Sequence, residues 1–201
     1  MIAILDYGSG NIRSAQRACE ETTHDVVITS DADIALAADG LVVPGVGAFG
    51  ACMQGLQKIN GHEIVHSRVA AKKKTLGICV GMQILFDSSE ENYEGQEPQG
   101  LGICSGRVVK LEAPVIPHIG WNTLSAPDNS TLFRGIEGER FYFVHSYAAL
   151  SASKSFSATT AKYGIEFVAA IENETVSAVQ FHPEKSGAAG LRLIKNWAAS
   201  L

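Results

Sequence analysis

The sequence predicts an α/β fold, with a mostly parallel central sheet flanked by helices and additional antiparallel strands in the C-terminal half. Three observations predict it. Short apolar runs alternate with longer amphipathic stretches through the first half of the chain, as strands do when crossover helices rather than hairpins join them. From Ser105 onward, strand-like runs follow one another through turns. With 201 residues, 46% of them hydrophobic, the chain suits a single domain, residues 1–201, able to bury roughly 70% of its unfolded surface.

Ile2 to Leu5 reads as the first strand, followed by a turn at Gly8-Ser9-Gly10-Asn11 and a helix from Ile12 to about Glu21. Val26 to Thr29 and Leu41 to Val43 are the next strands. Helices are expected over Phe49 to Lys58 and His62 to Lys73, then a strand at Thr75 to Ile78 and a helix over Gly81 to Ser88. Ser88 to Gly100, rich in Glu, Gln, Gly and Asn, reads as a flexible loop. Further strands are expected at Ser105 to Leu111, Phe141 to Val144, Ser157 to Thr160, Phe167 to Glu172 and Val176 to Phe181, the last two joined by a hairpin at Glu172-Asn173-Glu174. Leu191, Ile194, Trp197 and Ala198 share one face of a final helix from about Gly187 to Leu201.

Composition excludes several classes of function. Charged residues make up 18% of the chain against an average near 25%, and the net charge is -5 with only Lys72-Lys73-Lys74 as a basic run, so no nucleic-acid partner is expected. No apolar run reaches the roughly 18 residues of a membrane span, and the first residues lack a signal peptide's basic start; a cytoplasmic protein is expected. The cysteines at 19, 52, 79 and 104 form no C-x-x-C pair, against both a disulfide scaffold and a structural zinc site. Glycine, at 20 residues, is in excess and marks places of tight turn or close approach.

Four motifs carry chemistry. Gly77-Ile78-Cys79-Val80-Gly81 follows a strand and opens a helix, the form of a nucleophile elbow with cysteine as nucleophile. A helix N-terminus favours the thiolate, and small neighbours let chain and substrate approach. His182-Pro183-Glu184 directly follows a strand, where His182 could serve as the base and Glu184 could orient it. Gly45-Val46-Gly47-Ala48-Phe49-Gly50 formally matches the dinucleotide fingerprint, but a glycine-rich chain of this kind shows that pattern by chance roughly once in five. Its alternative role is an oxyanion loop working with the Val80 N–H. His62-Glu63-Ile64-Val65-His66 matches H-E-x-x-H, a zinc-peptidase motif, yet Ser67-Arg68-Val69 supplies no further ligand and only Glu90 or Glu91 is a plausible distant one. A solvated helix face with Ile64, Val65 and Val69 inward is the alternative.

Taken together, Gly77-Ile78-Cys79-Val80-Gly81-Met82-Gln83, Pro44-Gly45-Val46-Gly47 and His182-Pro183-Glu184-Lys185 resemble class I, triad-type glutamine amidotransferases. Asp6-Tyr7-Gly8-Ser9-Gly10-Asn11, Pro117-His118-Ile119-Gly120-Trp121-Asn122, Phe143-Val144-His145-Ser146-Tyr147 and Gln180-Phe181-His182 narrow the resemblance to the glutaminase subunits of imidazole glycerol phosphate synthases. Other amidotransferase glutaminases, such as those of anthranilate or pyridoxal phosphate synthesis, fit the Pro117 to Asn122 motif less well.

The resemblance implies a triad of Cys79, His182 and Glu184, an oxyanion hole from Val80 with Val46 or Gly47, and glutamine bound by Gly47, Gln83, His145, Ser146 and Tyr147. It implies no cofactor or metal. It also implies a partner, a (β/α)8-barrel cyclase subunit that receives the ammonia for histidine biosynthesis, met by Asn11, Trp121, Asn122, Tyr142 and Lys185.

Overall fold

The computed structural model describes residues 1–201. Strand β1 (Ile2–Leu5) leads through the glycine turn into α1 (Ile12–Glu20), then β2 (Val26–Thr29), α2 (Ala32–Ala37), β3 (Gly40–Gly45), α3 (Phe49–Lys58), α4 (Gly61–Ala70), β4 (Lys74–Cys79) and the short α5 (Val80–Gln83). The second half contains β5 (Ser88–Ser89), β6 (Arg107–Lys110), β7 (His118–Thr123), β8 (Arg140–His145), β9 (Tyr147–Ala149), β10 (Ser157–Tyr163), β11 (Ile165–Glu172) and β12 (Val176–Val179). A 3-10 turn (Pro183–Lys185) and α6 (Gly187–Ala198) end the chain.

Seven strands form the central sheet in the order β10-β11-β12-β4-β3-β1-β2. The five from β12 to β2 are parallel, while β10 and β11 add an antiparallel edge. Every residue of β1, β3 and β12 is buried, as expected of parallel strands covered on both faces. Helix α1 packs with α6, and α2 and α3 pack with α4, in two separate groups around the sheet. The buried apolar residues of both halves join in one cluster, from Ile2 to Trp197 and Ala198. A smaller sheet joins β5, β6 and β9, and β7 pairs with β8 in an antiparallel ribbon. No helix is long and apolar enough to cross a membrane.

Several expectations are corrected. The helix expected over Gly81 to Ser88 ends at Gln83, because Leu85 and Phe86 donate to Met82 and Gln83 three residues back and the chain tightens into turns. The expected loop Ser88 to Gly100 is tied down: Ser88 bridges to Gln99, Tyr93 to Gln96, and the Tyr93 ring packs over Gly50. Helix α2, capped by the Asp31 side chain on the Ile34 N–H at 3.0 Å, and strands β7 and β9 were not expected as elements. The final helix stops at Ala198, and its start is close-packed: a Cβ on Gly190 would lie 1.9 Å from the Pro183 carbonyl oxygen.

Candidate active site

Because β3, β4 and β12 run parallel and side by side, their carboxyl ends bring Gly45, Cys79 and the segment after Val179 to one edge of the sheet, the usual location of α/β sites. Cys79 is the last residue of β4 and holds φ 57° and ψ -114°, a conformation costing a non-glycine residue about 1–3 kcal/mol. That turn throws the side chain off the strand end. It also requires a glycine two residues on, since a Cβ at Gly81 would lie 1.9 Å from the Val43 carbonyl oxygen. Val80 opens α5, so its N–H has no acceptor within that helix.

His182 and Glu184 meet across the 3-10 turn, with Nδ1 to Oε1 at 2.9 Å and both side chains almost wholly buried. Burial opposes a charge on His182. Hydrogen bonding to the Cys79 sulfur and to the Glu184 carboxylate, with the negative charge each can carry, outweighs burial and raises its pKa to about 9. At neutral pH the ring therefore holds a proton beside the sulfur. The turn is stitched to β8, because the His182 N–H donates to the Tyr142 carbonyl at 2.9 Å and the Tyr142 N–H donates to Ser186 Oγ at 3.0 Å.

Cys79 and His182 open into a cleft of about 380 Å³ lined also by Val46, Gly47, Val80, Gln83, His145, Ser146, Tyr147 and Lys185. Every residue expected to act on the nucleophile or to hold glutamine is therefore at this cleft except Glu184, which lies beneath His182. Gln83 is buried, and its Nε2 donates to the Tyr147 carbonyl at 2.9 Å and to Gln180 Oε1 at 3.0 Å. Glu91 lines the same cleft and is its only acidic residue. Its Oε2 accepts the Phe49 N–H at the start of α3 at 2.8 Å.

The loop after β3 is the part that the sequence did not orient. The Val46 N–H donates to Ser9 Oγ at 3.2 Å, and Ser9 Oγ donates to the Val46 carbonyl at 3.0 Å. Cys52 backs this contact, 3.1 Å from Ser9 Oγ and 3.4 Å from the Val46 carbonyl. The expected Val46 donor is thus engaged by the first turn of the chain and is not available to an oxyanion in this arrangement.

The profile of the family described as glutamine amidotransferase class-I matches residues 3–200. The chain belongs to that family. It is 54% identical over 208 residues to an imidazole glycerol phosphate synthase subunit HisH of Nocardia farcinica, covering 100% of this chain and 98% of that protein. Identity to the HisH of Corynebacterium glutamicum is 51% over 205 residues, 98% of this chain and 96% of that one. Among solved structures, a glutamine amidotransferase superposes with a TM-score of 0.78 at 16% identity, covering 99% and 97% of the two chains. The glutaminase domain of a Trypanosoma brucei CTPS with bound acivicin superposes at 0.68, also at 16% identity, covering 99% and 92%. At such identities the superpositions speak for the fold alone.

In this amidotransferase, the residues expected at a partner interface lie outside the cleft, apart from Lys185 at its wall. Trp121 is 51% exposed and rests edge-on against Tyr142 at 5.9 Å; Asn122 and Asn11 are half-buried. The G-x-G-x-x-G match is the end of β3 running into α3, with Gly50 lying under Tyr93. The H-E-x-x-H segment lies in the first half of α4, which buries Ile64, Val65 and Arg68, leaves Val69 half-buried and turns His66 outward. No third metal-binding side chain joins its two histidines. Sequence reasoning missed Glu91 as a cleft residue because it lies in the segment read as flexible, and it missed the Ser9 contact with Val46, which spans 37 positions.

Proposed function

We propose that this single domain is the glutaminase subunit of imidazole glycerol phosphate synthase, acting in the cytoplasm in a heterodimer with a (β/α)8-barrel cyclase. The observation that carries the reading is the buried Cys79, His182 and Glu184 arrangement at the strand ends, in a chain sharing about half its residues with HisH subunits along its whole length.

The chemistry follows from the geometry. The Cys79 thiolate attacks the side-chain amide carbon of glutamine, and the developing oxyanion is held by the Val80 N–H and a donor from the Gly45-Val46-Gly47 loop. His182, which already holds a proton, gives it to the departing nitrogen, so ammonia leaves and a glutamyl thioester remains on Cys79. His182 then takes a proton from water as the water attacks the thioester, and glutamate departs with the thiolate restored. Glu184 fixes the ring and offsets its charge. Gly47, Gln83, His145, Ser146 and Tyr147 shape the site for the amino-acid end of the substrate. Free ammonia would be mostly protonated in water, which makes direct delivery to the cyclase part of the mechanism. Trp121, Asn122, Tyr142, Asn11 and Lys185 are the residues proposed to meet that partner. The backbone bonds from Tyr142 to His182 and Ser186 connect them to the base.

The test is glutamate and ammonia production from glutamine by the subunit alone and with the cyclase and its ligand. Turnover must appear, and must rise on addition of the partner; no turnover under either condition would refute the reading.

Two variants probe the cleft. Glu91 is the one acidic side chain available to the α-ammonium of glutamine. Glu91→Gln retains an oxygen for the Phe49 N–H but removes the charge, and a charge-assisted hydrogen bond of about 1.5–3 kcal/mol corresponds to a KM for glutamine raised about 10- to 100-fold. An unchanged KM would remove Glu91 from substrate binding. Ser9→Ala frees the Val46 N–H, so the subunit without its partner should release ammonia about 2- to 10-fold faster, the equivalent of one net hydrogen bond. A rate equal to or below that of the unaltered subunit would show that Ser9 does not restrain the loop.

A further inference from the structure

His118 and His145 are buried and lie opposite each other in the β7–β8 ribbon; His145 reaches the cleft, while His118 does not and takes no part in the chemistry above. Their protons are fixed from one end. The Tyr147 carbonyl can only accept, and it faces His145 Nδ1 at 2.9 Å as well as Gln83 Nε2 at 2.9 Å. Neutral His145 therefore carries its proton on Nδ1, and its Nε2 is an acceptor. His118 Nδ1 stands 3.0 Å from that Nε2 and must be the donor. His118 Nε2 is then an acceptor in turn, and meets Asn122 Nδ2 at 3.4 Å. The remaining hydrogen of that amide goes to the Lys162 carbonyl at 3.0 Å. Burial lowers the pKa of His118 to about 4 and that of His145 to about 3, the Tyr147 carbonyl opposing the shift at His145, so both rings are neutral at physiological pH. The His118 ring is held flat between Tyr163, 4.0 Å away at 18°, and Phe143, 4.8 Å away at 21°.

We propose that His118 is a positioning residue for glutamine binding: by donating from Nδ1 it locks His145 in the tautomer that holds the Tyr147 carbonyl, and so sets the Ser146-Tyr147 wall of the cleft. The relay has direction, running from Asn122 on the half-buried outer end of β7 to the wall that Gln83 also grips. A ring serving only to fill space between Tyr163 and Phe143 would be replaced without loss by phenylalanine. A donor would not.

The inference rests on the glutaminase reading, and its test separates the two. In the complex with the cyclase, His118→Phe keeps the stacking and removes both nitrogens; the KM for glutamine should rise about tenfold while kcat stays within about twofold. His118→Gln, which restores a donor, should recover most of that loss. Long-range ¹⁵N–¹H spectra of the unaltered protein should show His145 protonated on Nδ1 and bare on Nε2. A KM unmoved in a folded His118→Phe protein, equal losses in the Phe and Gln variants, or a His145 proton on Nε2 would each overturn the proposal. If His118→Phe does not fold, the tautomer spectrum decides. Absence of turnover by the unaltered complex would instead refute the glutaminase reading, and the spectrum would still judge the relay.

Discussion

Replacing Cys79 with alanine should abolish ammonia release from glutamine, by at least about 10⁴-fold, even with the cyclase and its ligand present. Removing the nucleophile leaves the remaining donors able to bind an amide but not to form the thioester. The fold should survive. Cys79 is buried and its replacement is only slightly smaller, and the positive φ of 57° strains alanine as it strains cysteine. A melting temperature within a few degrees of the unaltered protein and undiminished partner binding would show that only chemistry was lost. Turnover within tenfold of the unaltered enzyme would contradict the assignment of Cys79 as nucleophile.

The largest effect on stability should come from Arg68→Met. Arg68 is completely buried, and its guanidinium donates to the carbonyls of Ala35 at 2.8 Å, Ala38 at 2.8 Å, Asp39 at 3.1 Å and Lys74 at 2.7 Å. It thereby ties the end of α2 and the start of β3 to the start of β4. Burial pulls its pKa down to about 10, against the opposing charge of Asp39, so it remains charged at neutral pH. Methionine fills the volume but leaves those carbonyls without a donor, and loss of such a buried network costs about 3–5 kcal/mol. For a chain of this size that is a fall in melting temperature of about 6–20 °C. Thermal denaturation checks it, and a fall of less than about 2 °C would show that the carbonyls find other donors. Arg68→Lys, with one ammonium in place of the fork, should recover only part of the loss.

Much of this was legible in the sequence, for identifiable reasons. Strands such as Ile2–Leu5 and Val26–Thr29 and helix Phe49–Lys58 appear where expected because an apolar run between polar turns has one way to be buried in a parallel sheet. The elbow was legible because the strained, close-packed turn at Cys79 leaves its mark in the sequence, the glycines around it. Strand β7 was not, because His118, Gly120, Trp121 and Asn122 make no β-branched run; its pairing with β8 and the stacking of its first ring hold it as a strand. Helix α2 was missed although Asp31 offers an N-cap, since six residues hold little periodicity. The loop after β3 shows the deeper limit. Its sequence states which N–H groups exist, but their direction is set by Ser9, 37 residues earlier. Arg68 illustrates the same point on α4, where the motif drew notice to the histidines while the buried polar residue was the arginine beside them.

The place of β12 in the central sheet bears on how the protein comes into being. It lies between β4 and β11, pairing in parallel with β4 so that Val176 meets Thr75. Until β12 has been synthesised, β4 is an open apolar edge of the kind that pairs with other chains. Such distant pairing is also slow to form. His182 and Glu184 follow β12 closely, so the proposed base arrives with the strand that closes the sheet. During synthesis the proposed nucleophile therefore emerges long before its proposed proton carrier, which arrives with the strand that covers the open edge of β4.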